Sequence, residues 1–317
     1  MTTITHDIPV RSSSRLGSGL ALALVSAASF GLSGSLARGL LDAGWTAGAA
    51  VTARIVIAAL ALLVPAYVAM RGRWSLLRGN ASLVVTYGVV AVAGCQLCYF
   101  YAVAHMQVGV ALLIEYTAPV AVITWLWLRH GRAPGRLTIA GAVVALVGLV
   151  LVLDLLSGAD LSVVGVLWAL GAMVGAATYF IISAEEGNGL PPLALAAGGL
   201  LVGAVVLLAA GAVGVIPMAA TTDAVEFVGS TAPWWVPVVA LGLVTAALAY
   251  VTGIAAGRRL GSRLASFVAL SEVVASLVFA WLLLGELPRP VQLLGGLVIL
   301  AGVVMVKLDE TGALRKK

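Results

Sequence analysis

Three charged side chains stand inside apolar stretches of this sequence: Arg54, Glu115 and Glu272. A charge within the hydrocarbon of a bilayer costs about 2.5–3.5 kcal/mol even on a lenient insertion scale, so each calls for a partner or a task. A guanidinium and a carboxylate at one depth can pair with each other. They can also exchange that contact for the carboxylate and ammonium of a zwitterion. The same pair fits a purely structural role, locking helices together. Glu272 has no second arginine to match it. A carboxyl without a countercharge in low dielectric holds a proton readily, which makes Glu272 the candidate for proton coupling. Gln96, Tyr99, Tyr116 and Ser271 place hydrogen-bonding groups near these charges, with Tyr179 and Tyr250 as counterparts in the second half. Pro119, one turn after Glu115, removes a backbone hydrogen bond and predicts a helix break there. Broken backbone at membrane depth is tolerated where it lines a cavity or is buried in protein.

The elements that must position these groups are membrane spans. The chain has 317 residues, 62% of them hydrophobic and only 10% charged, with a mean hydropathy of +1.12. A soluble domain carries about 25% charged residues. Composition therefore excludes a cytosolic enzyme, a secreted disulfide scaffold and a disordered chain, and the solidly apolar runs exclude a transmembrane barrel. A span needs about 20 apolar residues. Ten runs qualify: Leu16–Ala37, Thr46–Met70, Ala81–Ala104, Gln107–Leu128, Leu137–Leu153, Leu161–Ser183, Pro191–Ile216, Trp234–Gly257, Gly261–Leu284 and Pro288–Val306. The fold class is an all-α polytopic membrane protein. Arg11 and Arg15 before the first run resemble the start of a signal peptide, but a full span follows, so an uncleaved first helix is expected. The longest connection, Pro217–Pro233, is too short for a domain.

With the N-terminus in the cytoplasm, 15 of the 18 basic residues fall on the inner side, as the positive-inside rule asks. Both termini are then cytoplasmic. Trp234 and Trp235 fit an outer interfacial belt. Spans three and four are joined by His105–Met106 alone. Gln96 and Glu115 therefore lie about 13–14 Å below the outer surface and Arg54 about 12 Å below it, at one level, while Glu272 lies about 16 Å from the inner side. An Arg54–Glu115 ion pair with Gln96 as neighbour is the expectation.

Shifting the chain by 154 residues lays Ala111–Leu153 on Ala265–Lys307 without a gap, with 13 of 43 positions identical. Trp127 falls on Trp281, Gly131 on Gly285, Pro134 on Pro288, Gly141 on Gly295 and Gly148 on Gly302. Spans one to five are thus expected to repeat as six to ten. An odd number of spans inverts the second copy, giving two inverted five-helix repeats with a site near the midplane between them. The organisation read from this is a tail at 1–15, a first repeat at 16–154, a second at 161–308 and a basic tail at 309–317.

Other motifs carry little. Cys95 and Cys98 form a C-x-x-C on a helix, without further ligands for a metal. Gly31-Leu32-Ser33-Gly34 fits a rhomboid-protease pattern, but His6, His105 and His130 lie at or beyond span ends, so no base reaches the serine. No phosphate-binding loop occurs. The reading is a non-enzyme that needs no cofactor or metal and contacts a small-molecule substrate and the lipid bilayer, not nucleic acid, as monomer or homodimer.

The chain resembles a ten-helix transporter of the drug/metabolite superfamily, EamA type, from Leu16 to Lys307. The duplicated hairpins Trp127–Gly148 and Trp281–Gly302 carry the resemblance, with Leu284-Gly285-Glu286 matching the family's turn. Val51–Arg54, Gly109–Pro119 and Leu270-Ser271-Glu272 are similar to segments of the threonine/homoserine exporter branch. The resemblance implies a bacterial inner-membrane permease that exports a small polar metabolite such as an amino acid. A proton-coupled exporter of cationic drugs is the alternative. Where the family has proline after the second glutamate this chain has Val273, which predicts a straighter ninth span.

Overall fold

The structure, a computed structural model, describes residues 10–103, 105, 108–131, 133–152 and 162–315. The helices are α1 (Val10–Asp42), α2 (Ala47–Met70), α3 (Trp74–Gly79), α4 (Ala81–Thr86), α5 (Cys95–Val103), α6 (Val108–Glu115), α7 (Ala118–His130), α8 (Arg136–Val152), α9 (Val163–Ser183), α10 (Pro192–Ala212), α11 (Trp235–Gly242), α12 (Ala249–Ala269), α13 (Ser271–Leu284) and α14 (Pro290–Arg315). Two π-helical segments, Tyr87–Gly94 and Leu243–Leu248, join α4 to α5 and α11 to α12. Among the described residues, eight helical stretches are long and apolar enough to cross a membrane; Arg136–Val152 and Ser271–Leu284 are shorter apolar helices. Large apolar side chains such as Val64, Leu128, Leu167 and Leu297 are exposed on the outside of the bundle, a surface suited to lipid rather than water.

Several expectations need correcting. The connection expected at Arg258–Leu260 is displaced by one residue: two helices, together spanning Trp235–Ala269, meet at a kink at Gly261. Those 35 residues would reach about 50 Å as a straight helix, far more than a 30 Å hydrocarbon core. The turn is made at Gly261, with φ +79° and ψ 161°, a backbone conformation open to glycine. The ninth run is not straight either: Leu270 interrupts it between α12 and α13 despite the absence of proline. The fourth run breaks at Tyr116–Thr117, with Pro119 in the first turn of α7. The connection after α10 holds a short antiparallel hairpin, Val225–Phe227 with Ser230–Ala232. The tail expected from residue 309 continues α14 as helix to Arg315. The turn at Ala104–Gln107 is described only at His105, and Leu153–Leu161, with the boundary between the two halves, lies outside the described residues.

Packing follows the duplicated sequence. α1 packs on α12 and α13, α9 on α5, α6 and α7, α2 on α10, and α8 on α14. Where α8 crosses α14, a methyl group on Gly141 would stand 2.8 Å from the Gly302 carbonyl oxygen, and one on Gly148 would stand 2.7 Å from that of Gly295. Each glycine thus meets the repeat counterpart of the other. The first π segment, moved by 154 residues, overlaps the second. Gly88 and Gly242 share that register, and a Cβ on each would press on a valine or isoleucine of the facing helix, Val202 of α10 and Ile57 of α2.

Thr46 caps α2 by accepting from the Ala49 amide (3.3 Å), and its hydroxyl donates to the Pro217 carbonyl oxygen (2.9 Å). Thr46→Val is expected to lower stability by about 1–2 kcal/mol through loss of the cap, read as a lower Tm in detergent with unchanged helix content.

Candidate functional site

A cavity of about 800 Å³ lies among the helices, within the usual size of small-molecule sites. Its wall follows α1 from Ala23 to Leu41 and includes Ala47 at the start of α2, so it reaches the Arg38 end of α1. On the N-terminal side of Ala23, Arg15 pairs with Glu186 and donates to the Arg258 carbonyl oxygen at 3.0 Å, and Arg258 donates to that of Leu190.

Arg54, Gln96, Tyr99, Glu115, Tyr116, Pro119 and Glu272 all line this one cavity. Five different helices supply them, with Tyr116 at the break between α6 and α7. The two helix breaks place the acids: Glu115 ends α6, and Glu272 lies in the first turn of α13. Tyr179 and Tyr250, both buried, complete the wall with Phe30 in edge-on ring contacts.

The expected Arg54–Glu115 ion pair is absent among the described residues. Arg54 Nη2 instead donates to the Thr245 carbonyl oxygen at 2.7 Å, and its guanidinium lies over the Phe30 ring at 5.5 Å. Thr245 belongs to the second π segment, a helix form that recurs at functional sites. Arg54 is 7% exposed and its Nε has no hydrogen-bond partner. Its electrostatic interactions are with Tyr250 and Glu272. Gln96 bonds to neither Arg54 nor Glu115. Glu115 Oε1 lies 3.5 Å from the Cys95 thiol. Tyr116 interacts with the Glu272 carboxyl.

Ser271, expected at the site, is not on the cavity wall: its hydroxyl donates to the Val268 carbonyl oxygen at 2.6 Å. Cys95 and Cys98 are free thiols, and no cluster of metal-ligating residues occurs among the described residues. Sequence reasoning did not reach Phe30 or Thr245. The first is an ordinary apolar residue by type, and the second acts through its backbone. Chemically, the cavity offers one guanidinium with an unsatisfied donor, two carboxyls without an ion-pair partner and an aromatic lining. That equipment binds and orients a small molecule.

Apolar spans enclosing a central cavity with a few polar and charged groups on its wall define a multi-pass membrane transporter. The pattern of the EamA-like transporter family matches residues 17–154 and again 163–308, and the chain belongs to that family, within the drug/metabolite transporter superfamily. It is a transporter of small molecules, not an enzyme. No curated protein matches the sequence. A solved structure described as "Crystal structure of protein" shares the fold with a TM-score of 0.72, at 21% identity, over 93% of this chain and 98% of the other.

Proposed function

We propose that the chain is a secondary transporter that exports a small polar metabolite, an amino acid of the threonine/homoserine kind, by alternating access around the central cavity. The observation that carries this reading is Arg54: a buried guanidinium on the cavity wall, with its Nε unpartnered and two carboxyls on the same wall. An α-carboxylate takes the free donor, and the ammonium takes Glu115 or Glu272. Glu272 remains the candidate for proton coupling. The resemblance of Val51–Arg54, Gly109–Pro119 and Leu270–Glu272 to the threonine/homoserine branch supports the choice of substrate.

The same reading has ten spans in two inverted five-helix repeats, 16–154 and 161–308, in a bacterial inner membrane with both termini cytoplasmic. The reciprocal contacts Gly141–Gly302 and Gly148–Gly295 support it, because a two-fold axis in the membrane plane pairs each position with its counterpart's neighbour. In this orientation the Arg38 end of the cavity lies toward the outer side and the Arg15–Glu186 contact toward the inner side.

A second reading is favoured by the aromatic lining and by the engagement of Arg54 with Thr245: a proton-coupled exporter of cations, with the two carboxyls as the cation site. Counterflow of a labelled amino-acid panel in proteoliposomes, with and without a pH gradient, decides between them. Saturable uptake of threonine or homoserine is the expected result. Uptake of a lipophilic cation with no amino acid transported would replace the first reading by the second.

A further inference from the structure

We propose that Thr117 and Ser271 are a matched pair of positioning residues, which hold the two helix breaks and so aim Glu115 and Glu272 into the cavity; the role in transport rests on the reading above. The two hydroxyls make the same bond. Thr117 Oγ1 donates to the Ile114 carbonyl oxygen at 2.6 Å, and Ser271 Oγ donates to that of Val268 at 2.6 Å. The 154-residue shift carries Thr117 onto Ser271 and Ile114 onto Val268. Around both, the backbone closes three-residue turns: Thr117 N to Ile114 O and Val273 N to Leu270 O, each 3.1 Å. A hydroxyl bonded to a preceding carbonyl competes with the helix ladder and bends the helix. Ser266 and Ser276 make similar bonds inside regular helix. At the two interruptions beside the acids, the bond sits at repeat-equivalent positions.

The copies differ in what else holds the break. In the first, Pro119 has no amide to offer the ladder. Its counterpart Val273 keeps its amide, bonded to Leu270. The second break therefore depends on the Ser271 hydroxyl, which is buried and aimed at backbone rather than at the cavity. Without it, the ladder can close through Leu270. That turns α13 about its axis relative to α12 and carries Glu272 off the wall. Thr117 is backed by Pro119, so its loss is felt less.

The test uses the full chain in proteoliposomes with two readouts. One is a spin-label distance between Val163 and Leu287, both exposed positions; it needs no substrate. The other is counterflow of labelled threonine. Ser271→Ala is expected to shift the distance and to slow counterflow about tenfold, the scale of one lost hydrogen bond. Ser271→Thr keeps the hydroxyl. Ser271→Ala with Val273→Pro restores the break by the means the first copy uses. Reversal of the shift by either variant supports the pairing. An unshifted Ser271→Ala, or a shift that neither variant reverses, overturns it. Thr178→Val, on an exposed hydroxyl bonded within α9, is the control expected to leave both readouts unchanged. If wild type moves no threonine, the proposed substrate fails while the distances still decide the role of the pair.

Discussion

Gly148→Val is expected to prevent the two halves from packing, with a loss of stability of about 3 kcal/mol or more. The reason is backbone, not side-chain, crowding. A Cβ at Gly148 would stand 2.6 Å from the Ile299 amide nitrogen and 2.7 Å from the Gly295 carbonyl oxygen. Neither atom can move without displacing α14. In a bilayer, lipid tails are as apolar as leucine, so helices associate through close contact rather than by escaping water. The α8–α14 crossing has that closeness only because glycine faces backbone at Gly141, Gly148, Gly295 and Gly302. The control is Gly17→Ala, at a position on α1 with open space around it, which is expected to be neutral or slightly stabilising because alanine is the better helix former. Thermal unfolding in detergent, followed by size-exclusion chromatography, separates the two. An unchanged Tm for Gly148→Val would show that α14 shifts freely and that the crossing does not hold the halves together.

The same glycines show how far the sequence could be read. Gly141 and Gly148 were recognisable as repeat positions because they recur 154 residues later, but their role as reciprocal contacts needed the crossing itself. Pro119 announced its break, since a missing amide can be seen in the sequence. Leu270 did not: its break depends on a serine hydroxyl turned onto backbone, and serine is ordinary inside a membrane helix. A fixed rise per residue let the sequence set Arg54, Gln96 and Glu115 at one expected level, and the structure has these three and Glu272 on the wall of one cavity. Azimuth was not readable: the guanidinium turns to Phe30 and to a carbonyl in a π segment. A π segment shifts every following side chain around its helix, and nothing in Leu243–Leu248 marks it in the sequence. The partner of Arg54 was thus hidden twice, as a backbone atom and on an irregular helix.

Arg54 is where fold and function should separate most clearly. A charge at this depth costs about 2.5–3.5 kcal/mol. In the structure it is offset by one bond to Thr245 and by the Phe30 face, a contact worth about 0.5–2 kcal/mol. The Nε gains nothing. Arg54→Met keeps the length and apolar stem, removes the charge, and leaves only a carbonyl in need of a partner. Stability is therefore expected to stay within about 1 kcal/mol of wild type, or to rise, because apolar replacement of a buried charge is often neutral or stabilising. Transport should fall by about 100-fold or more, since removing one side of a buried charged contact typically costs 2–5 kcal/mol. Arg54→Lys is expected to recover little of it. A lysine ammonium is a point charge and cannot hold Thr245 and a carboxylate in the planar fork that arginine offers. Paired measurements of Tm and threonine counterflow test the expectation. Full transport by Arg54→Met would make Arg54 a structural clamp between α2 and the π segment. A large drop in Tm would say the same from the other side. Stability kept while transport is lost would mark a residue that the fold tolerates and the substrate requires.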